Sequence, residues 1–230
     1  MELNKIYNQD CLVGMENIPD KSVDMLLTDP PYNISVKNNF KTMGRNGIDF
    51  GEWDKDFDLT SWIGVAVSKV KNGGNIVIFC DWKMITYIVD ELTANGCDVK
   101  DMLRIVKNNP MPRNRDRRFI VDYEVAVWAV KKGKWTFNRL SEKYERPEIK
   151  CNITPPSEKK ITNHPTQKPL SSIEYILLRL SNEHDIVLDC FMGSGTTAIA
   201  CMNTNRNYVG FELDKDYYEL ANERIINHKN

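Results

Sequence analysis

Short apolar runs of strand length recur along this chain, and most are followed by a stretch with helical character. Residues 23–27 (Val-Asp-Met-Leu-Leu), 75–80 and 123–130 are brief, rich in valine and isoleucine and bounded by turn residues, so they read as buried strands. A short strand over 5–8 leads to a helix from Asp10, which stands where an N-cap belongs, to about residue 18, closed by Pro19. Helices are predicted over 62–70, stopped by Gly73-Gly74, and over 84–94, with Asn95-Gly96 as the C-cap signal, followed by a strand near 101–106. The last third has the cleanest rhythm: helix 170–180, strand 185–190, a glycine loop, helix 196–203, strand 208–213, helix 215–228. Strands alternating with helices imply an α/β fold with a parallel sheet, and such sheets bind ligands outside the carboxyl ends of their strands. Two stretches break the rhythm: residues 33–58, a polar, Gly- and Asn-rich loop long enough to suggest function, and the irregular, proline-bearing residues 131–163.

Composition narrows the picture. At 230 residues, 41% hydrophobic and 27% charged, the chain suits one globular domain over residues 1–230 and not a disordered or fibrous protein. A net charge of -1 means that any nucleic-acid contact must come from a local patch. One candidate exists: residues 104–118 carry Arg104, Lys107, Arg113, Arg115, Arg117 and Arg118 against Asp116 alone, six positive minus one negative, or +5. Plain solvated surface and phosphate or base contact are equally good readings of that stretch by itself. The six cysteines include no C-x-x-C pair and the three histidines no metal-binding spacing, so no metal site is expected. Free thiols point to a reducing cytoplasm. The polar N-terminus and the lack of a long apolar run point away from a signal peptide and a membrane.

Two strand ends carry chemistry. The first strand delivers Asp29-Pro30-Pro31-Tyr32: a carboxylate on a stiff mount beside an aromatic ring, since proline fixes φ and lacks an N–H. Alone, the tetrapeptide is most simply a turn. The second site is the loop Asp189-Cys190-Phe191-Met192-Gly193-Ser194-Gly195-Thr196, between a strand and a helix, where glycines admit a ligand to the backbone and the helix N-terminus offers free N–H groups. It has no Walker lysine and no complete G-x-G-x-x-G. Glu212 follows Gly195 by seventeen residues, close to the spacing of roughly 20 at which α/β nucleotide folds place an acid on ribose hydroxyls. A nucleoside cofactor is therefore expected, with capping of the next helix as the minor alternative for Glu212.

Together, Asp-Pro-Pro-Tyr at one strand end, Phe191-x-Gly193-x-Gly195 at another, and His164-Pro165-Thr166-Gln167-Lys168-Pro169 just before the latter resemble the DNA amino-methyltransferases. With the tetrapeptide first and the cofactor loop late, the order resembles their β-class, close to small adenine methyltransferases of bacterial restriction–modification systems. The resemblance implies a single Rossmann-like methyltransferase domain with permuted motif order and a mostly parallel sheet containing one antiparallel strand. It implies S-adenosylmethionine as cofactor, with Phe191, Gly193, Ser194, Gly195 and Thr196 around its methionine part and Glu212 on its ribose. Asp10 and Cys11 would lie near its adenine, and His164, Thr166 and Gln167 would close the pocket. Cys190 stands where the family usually has proline.

The implied reaction explains the residue types. An aromatic amine is a poor nucleophile because its lone pair is conjugated into the ring; Asp29 and the carbonyl of Pro30 can each accept one of its hydrogens, freeing the lone pair for the sulfonium methyl. Pro31 stiffens the turn, and Tyr32 would stack on a base flipped out of double-stranded DNA. DNA-recognition loops are expected within 33–58 and 104–163, with Arg113, Arg115, Arg117 and Arg118 as contacts, and a homodimer is compatible with the family. N4-cytosine methylation is the nearest alternative, although Asp29 stands where cytosine enzymes more often have serine. A non-catalytic module binding cofactor and DNA is the remote one.

Overall fold

The computed structural model describes residues 1–32, 58, 60–110, 112, 116–117, 119–155 and 167–229. Among these residues, eight strands form one sheet: β1 (Lys5–Tyr7), β2 (Val23–Thr28), β3 (Val70–Cys80), β4 (Cys97–Lys107), β5 (Tyr123–Lys131), β6 (Glu148–Cys151), β7 (Ile186–Asp189) and β8 (Asn207–Phe211), in the order β1-β8-β7-β2-β3-β5-β4-β6. All neighbours are parallel except at β5, which runs antiparallel to both β3 and β4. The expected mostly parallel sheet with one reversed strand is what forms.

Period-two alternation splits the apolar residues between two faces of this sheet. Met25, Leu27, Val77, Phe79 and Val187 point to one side, where they meet α4 (Leu170–Leu180), α5 (Thr196–Asn203) and α6 (Lys215–Lys229). Leu26, Ile76, Ile78 and Leu188 point to the other, against α1 (Cys11–Met15), α2 (Ser61–Lys69) and α3 (Ile85–Ala94). The helices bury matching stripes. In α4 the buried apolar positions are Ile173, Ile176, Leu177 and Leu180, the three- and four-residue spacing of one helical face.

The route of the chain creates a crevice. From β2 it passes through α2 to β3 on one side; from β7 it passes through α5 to β8 on the other, over the opposite face of the sheet. β2 and β7 are neighbours, so strand order reverses between them, and ligands bind at such switch points in open α/β sheets. Thr28 and Asp189 close these two strands at that point.

Several expected boundaries move. The first helix is shorter, Cys11–Met15. Gly73-Gly74 is not a loop after a helix: α2 ends at Lys69, and both glycines lie inside β3, where the β2 pairing jumps from Val23↔Val70 to Met25↔Asn75. The strand expected at 101–106 begins at Cys97, and β6 forms within 131–163, read from sequence as irregular. The span 104–163 is thus not all loop, because β5, β6 and the end of β4 belong to the sheet.

Candidate active site

The ends of β2 and β7 are laced by side chains. The Thr28 hydroxyl donates to Asp189 Oδ1 at 2.7 Å and accepts from the Cys190 amide at 3.1 Å. Asp189 also accepts from the Thr197 hydroxyl at 2.6 Å and the Phe191 amide at 3.0 Å, pinning both ends of the glycine loop. Burial raises the Asp189 carboxyl to about 6, against the lowering effect of these donors. Cys190 has a structural role: its amide makes a bond that a proline could not, and its buried thiol, 3.8 Å from the Met15 sulfur, is pushed well up by burial. It is a poor nucleophile.

Gly195 caps α5 with φ +76°, a conformation that favours glycine. Below it, the buried Arg224 of α6 donates to the Ser194 carbonyl at 3.1 Å and the Thr196 hydroxyl at 2.9 Å. A guanidinium and a helix N-terminus therefore stand together behind the loop. Glu212 faces the loop from the end of β8, accepting from the Gly193 amide at 2.7 Å and the Asp214 amide at 2.9 Å. Burial raises its carboxyl to about 7, more than the two amides lower it. Capping of α6 falls to Asp214, whose Oδ1 accepts from the Asp216 and Tyr217 amides.

At the end of β2, Asp29 enters a half-buried charge network. Its Oδ2 lies 2.6 Å from the Lys168 ammonium, and its Oδ1 accepts from the Tyr32 hydroxyl. Lys168 also donates to that hydroxyl at 3.2 Å and pairs with Glu124 Oε2 at 3.1 Å, so three oxygens surround its ammonium. Glu124 in turn pairs through Oε1 with Lys107. The Lys168 ammonium packs over the rings of Tyr32 and Phe79 at 5.3 and 5.2 Å. Burial acts against every charge here, and the balance with pairing differs from group to group. For Glu124 the two ammoniums outweigh burial and hold the carboxyl down at about 2. For Lys168 the two carboxylates outweigh burial and raise the ammonium, while for Asp29 burial prevails and the carboxyl stays above its ordinary value.

Asp29, Tyr32, Lys168, Asp189, Cys190 and Glu212 line one cavity of about 470 Å³. It brings together Asp29, Pro30, Pro31 and Tyr32 with Asp10, Cys11, Gln167, Phe191, Gly193, Ser194, Thr196 and Glu212. Gly195 is not among the lining residues and serves as the cap. Asp10 lines the cavity while accepting from the Leu12 amide at 2.8 Å as the N-cap of α1. Phe191 is set by an edge contact with the buried Trp62 of α2, ring centroids 5.0 Å apart. His164, Thr166, Arg113, Arg115 and Arg118 lie outside the described residues, as do residues 33–57. Of the basic stretch, Arg117 is exposed, whereas Arg104 is paired with Glu148 and Lys107 with Glu124. No cluster able to hold a metal occurs among the described residues, nor does any helix among them have the length and apolarity to cross a membrane.

A family model described as DNA methylase matches residues 23–223. The chain belongs to this DNA methylase family. Within the family, it is similar to the type II methyltransferase M2.MboI of Moraxella bovis, with 31% identity covering 95% of this chain and 86% of the relative. It is also similar to M.HinfI of Haemophilus influenzae, with 30% identity covering 97% and 68%. Among solved structures, a complex of M1.HpyAVI with SAM superposes with a TM-score of 0.79 at 42% identity, covering 96% of this chain and 98% of that one. The cytosine-N4-specific PvuII methyltransferase, at 16% identity and a TM-score of 0.74 over 97% and 90% of the two chains, shares the fold.

Proposed function

We propose that this DNA methylase is adenine-specific, moving the methyl group of S-adenosylmethionine to the exocyclic amine of an adenine flipped out of duplex DNA, as the modifying enzyme of a cytoplasmic restriction–modification system. The observation that carries the reading is the placement of Asp29 and Pro30 in the same cavity as the Gly193–Thr196 loop and Glu212. The cavity volume lies within the range of roughly 300–1,000 Å³ typical of small-ligand sites. Its donor set suits the cofactor: the start of α5 backed by Arg224 for a carboxylate, and the Glu212 carboxylate for ribose hydroxyls. When bound, S-adenosylmethionine supplies an electrophilic methyl group on a sulfonium.

The chain's own residues do the rest. Asp29 and the Pro30 carbonyl accept the two amine hydrogens, drawing the lone pair out of conjugation. The proton lost as the amine becomes secondary passes to a carboxylate oxygen of Asp29, whose burial raises its affinity for it. Tyr32, tied through its hydroxyl to Asp29 and Lys168, presents its ring in a fixed orientation for stacking on the extruded base. Exposed Arg117, with Arg113, Arg115 and Arg118 and the segment 33–58, supplies phosphate and base contacts.

The reading predicts that the protein, given methyl-labelled S-adenosylmethionine and duplex DNA, incorporates label, and that Asp29→Ala loses about 100-fold or more of that transfer while still binding cofactor. Absence of label with the wild-type protein would overturn it.

A further inference from the structure

We propose that Lys168 is a positioning residue for the transfer reaction: held between Asp29 and Glu124, it keeps the Asp29 carboxylate charged and fixed, while Glu124 and Lys107 set how much of its charge Asp29 receives. This rests on the reading of Asp29 as the acceptor for the substrate amine.

A carboxyl group can take up the departing proton only while ionised, and desolvation at Asp29 favours its neutral form. The Lys168 ammonium at 2.6 Å opposes this. Its side chain is only 9% exposed and its ammonium is held among oxygens of Asp29, Glu124 and Tyr32, so it is not shaped as an anchor for DNA phosphate. Were Asp29 its only partner, the ammonium would be free to neutralise that carboxylate fully. Glu124 prevents this by holding the same Nζ at 3.1 Å, and is itself balanced by Lys107. The four charges sum to zero, which makes the network tolerable in a half-buried place. Asp29 therefore keeps basicity for the departing proton while remaining an acceptor. Among the described residues, the other titratable groups facing Asp29 are the Tyr32 hydroxyl in its own turn, Asp189 on β7 and the Cys80 thiol on β3.

The test is a carboxyl carbon-13 NMR titration of the cofactor-free protein, with the Asp29 resonance assigned by its loss in Asp29→Asn. Lys168→Gln is expected to raise the Asp29 midpoint by about one to three pH units. Glu124→Gln is expected to lower it, since a neighbouring negative charge disappears and the ammonium is no longer shared. Lys107→Met, a change at the edge of the network, should raise it slightly and guards against misfolding of the buried variants. In turnover at saturating DNA, the acid limb of kcat in Lys168→Gln should move upward with the Asp29 midpoint, lowering kcat at neutral pH more than it alters KM. An Asp29 midpoint that stays put, or moves in the same direction in Lys168→Gln and Glu124→Gln, overturns the proposal. The titration does not depend on turnover: absence of methyl transfer by the wild type defeats the functional reading alone, and transfer with unmoved midpoints defeats the role of Lys168 alone.

Discussion

Glu212 shows how one side chain ties the loop to the site. Its two oxygens hold the Gly193 and Asp214 amides, and burial raises its carboxyl to about 7 from an ordinary 4.5. Because the folded state holds this proton more tightly than the unfolded chain, the Glu212 contribution to stability is largest below 4.5 and declines as pH rises to about 7. On the proposed reading, Glu212 takes ribose hydroxyls as the carboxylate, the opposite state. Cofactor affinity measured by calorimetry is thus expected to fall as pH drops through about 7, and Glu212→Gln should flatten that dependence. A pH-independent wild-type affinity would remove Glu212 from the binding role. The strand-end position of Glu212 and its spacing from Gly195 made it legible in the sequence. Glu124 and Arg224 were not, because their partners come from distant elements. One signal for Glu124 was available: a lone carboxylate near the start of the apolar strand Tyr123–Lys131, where burial demands a paired cation.

The elements that carry the site depend on a few backbone positions. Gly195 sits at φ +76°, and a Cβ there would come within 3.2 Å of the Ala221 Cβ. Gly195→Ala should therefore destabilise the protein by about 1–2 kcal/mol from the left-handed conformation and weaken cofactor binding by displacing the start of α5; urea denaturation and a binding isotherm read the two effects. Trp62, fully buried in α2 and set against Phe191, carries more: Trp62→Ala is expected to cost about 3–5 kcal/mol in the same denaturation. At this scale the apolar runs located most helices and strands, and the misplacements share a cause. Gly73-Gly74 looked like a stop because glycine usually punctuates, yet here Gly73, at φ +81°, lies within β3 while its amide bonds the Lys132 carbonyl. β6 has four residues and, among the described residues, pairs with β4 alone; it is too short to carry a periodic signal, and its place comes from the sheet edge that receives it.

For the molecule as a whole, the reversal of strand order between β2 and β7 places two motifs far apart in sequence on either side of one crevice. That juxtaposition follows from connectivity rather than local propensity. It became readable only once the order of motifs suggested the family. The net charge of -1 leaves DNA attraction to local cations, so Arg117→Ala should weaken duplex binding and reduce its salt dependence while leaving cofactor affinity intact. An unchanged salt slope in a fluorescence-anisotropy titration would make Arg117 plain surface. The central claim, a flipped adenine whose amine meets Asp29, is tested most directly by digesting duplex DNA treated with the protein and methyl-labelled S-adenosylmethionine to nucleosides. The account predicts the label on N6-methyladenosine, in its deoxy form, and its loss with Asp29→Ala; label on N4-methylcytosine, or on adenine with Asp29→Ala as active as the wild type, would contradict it.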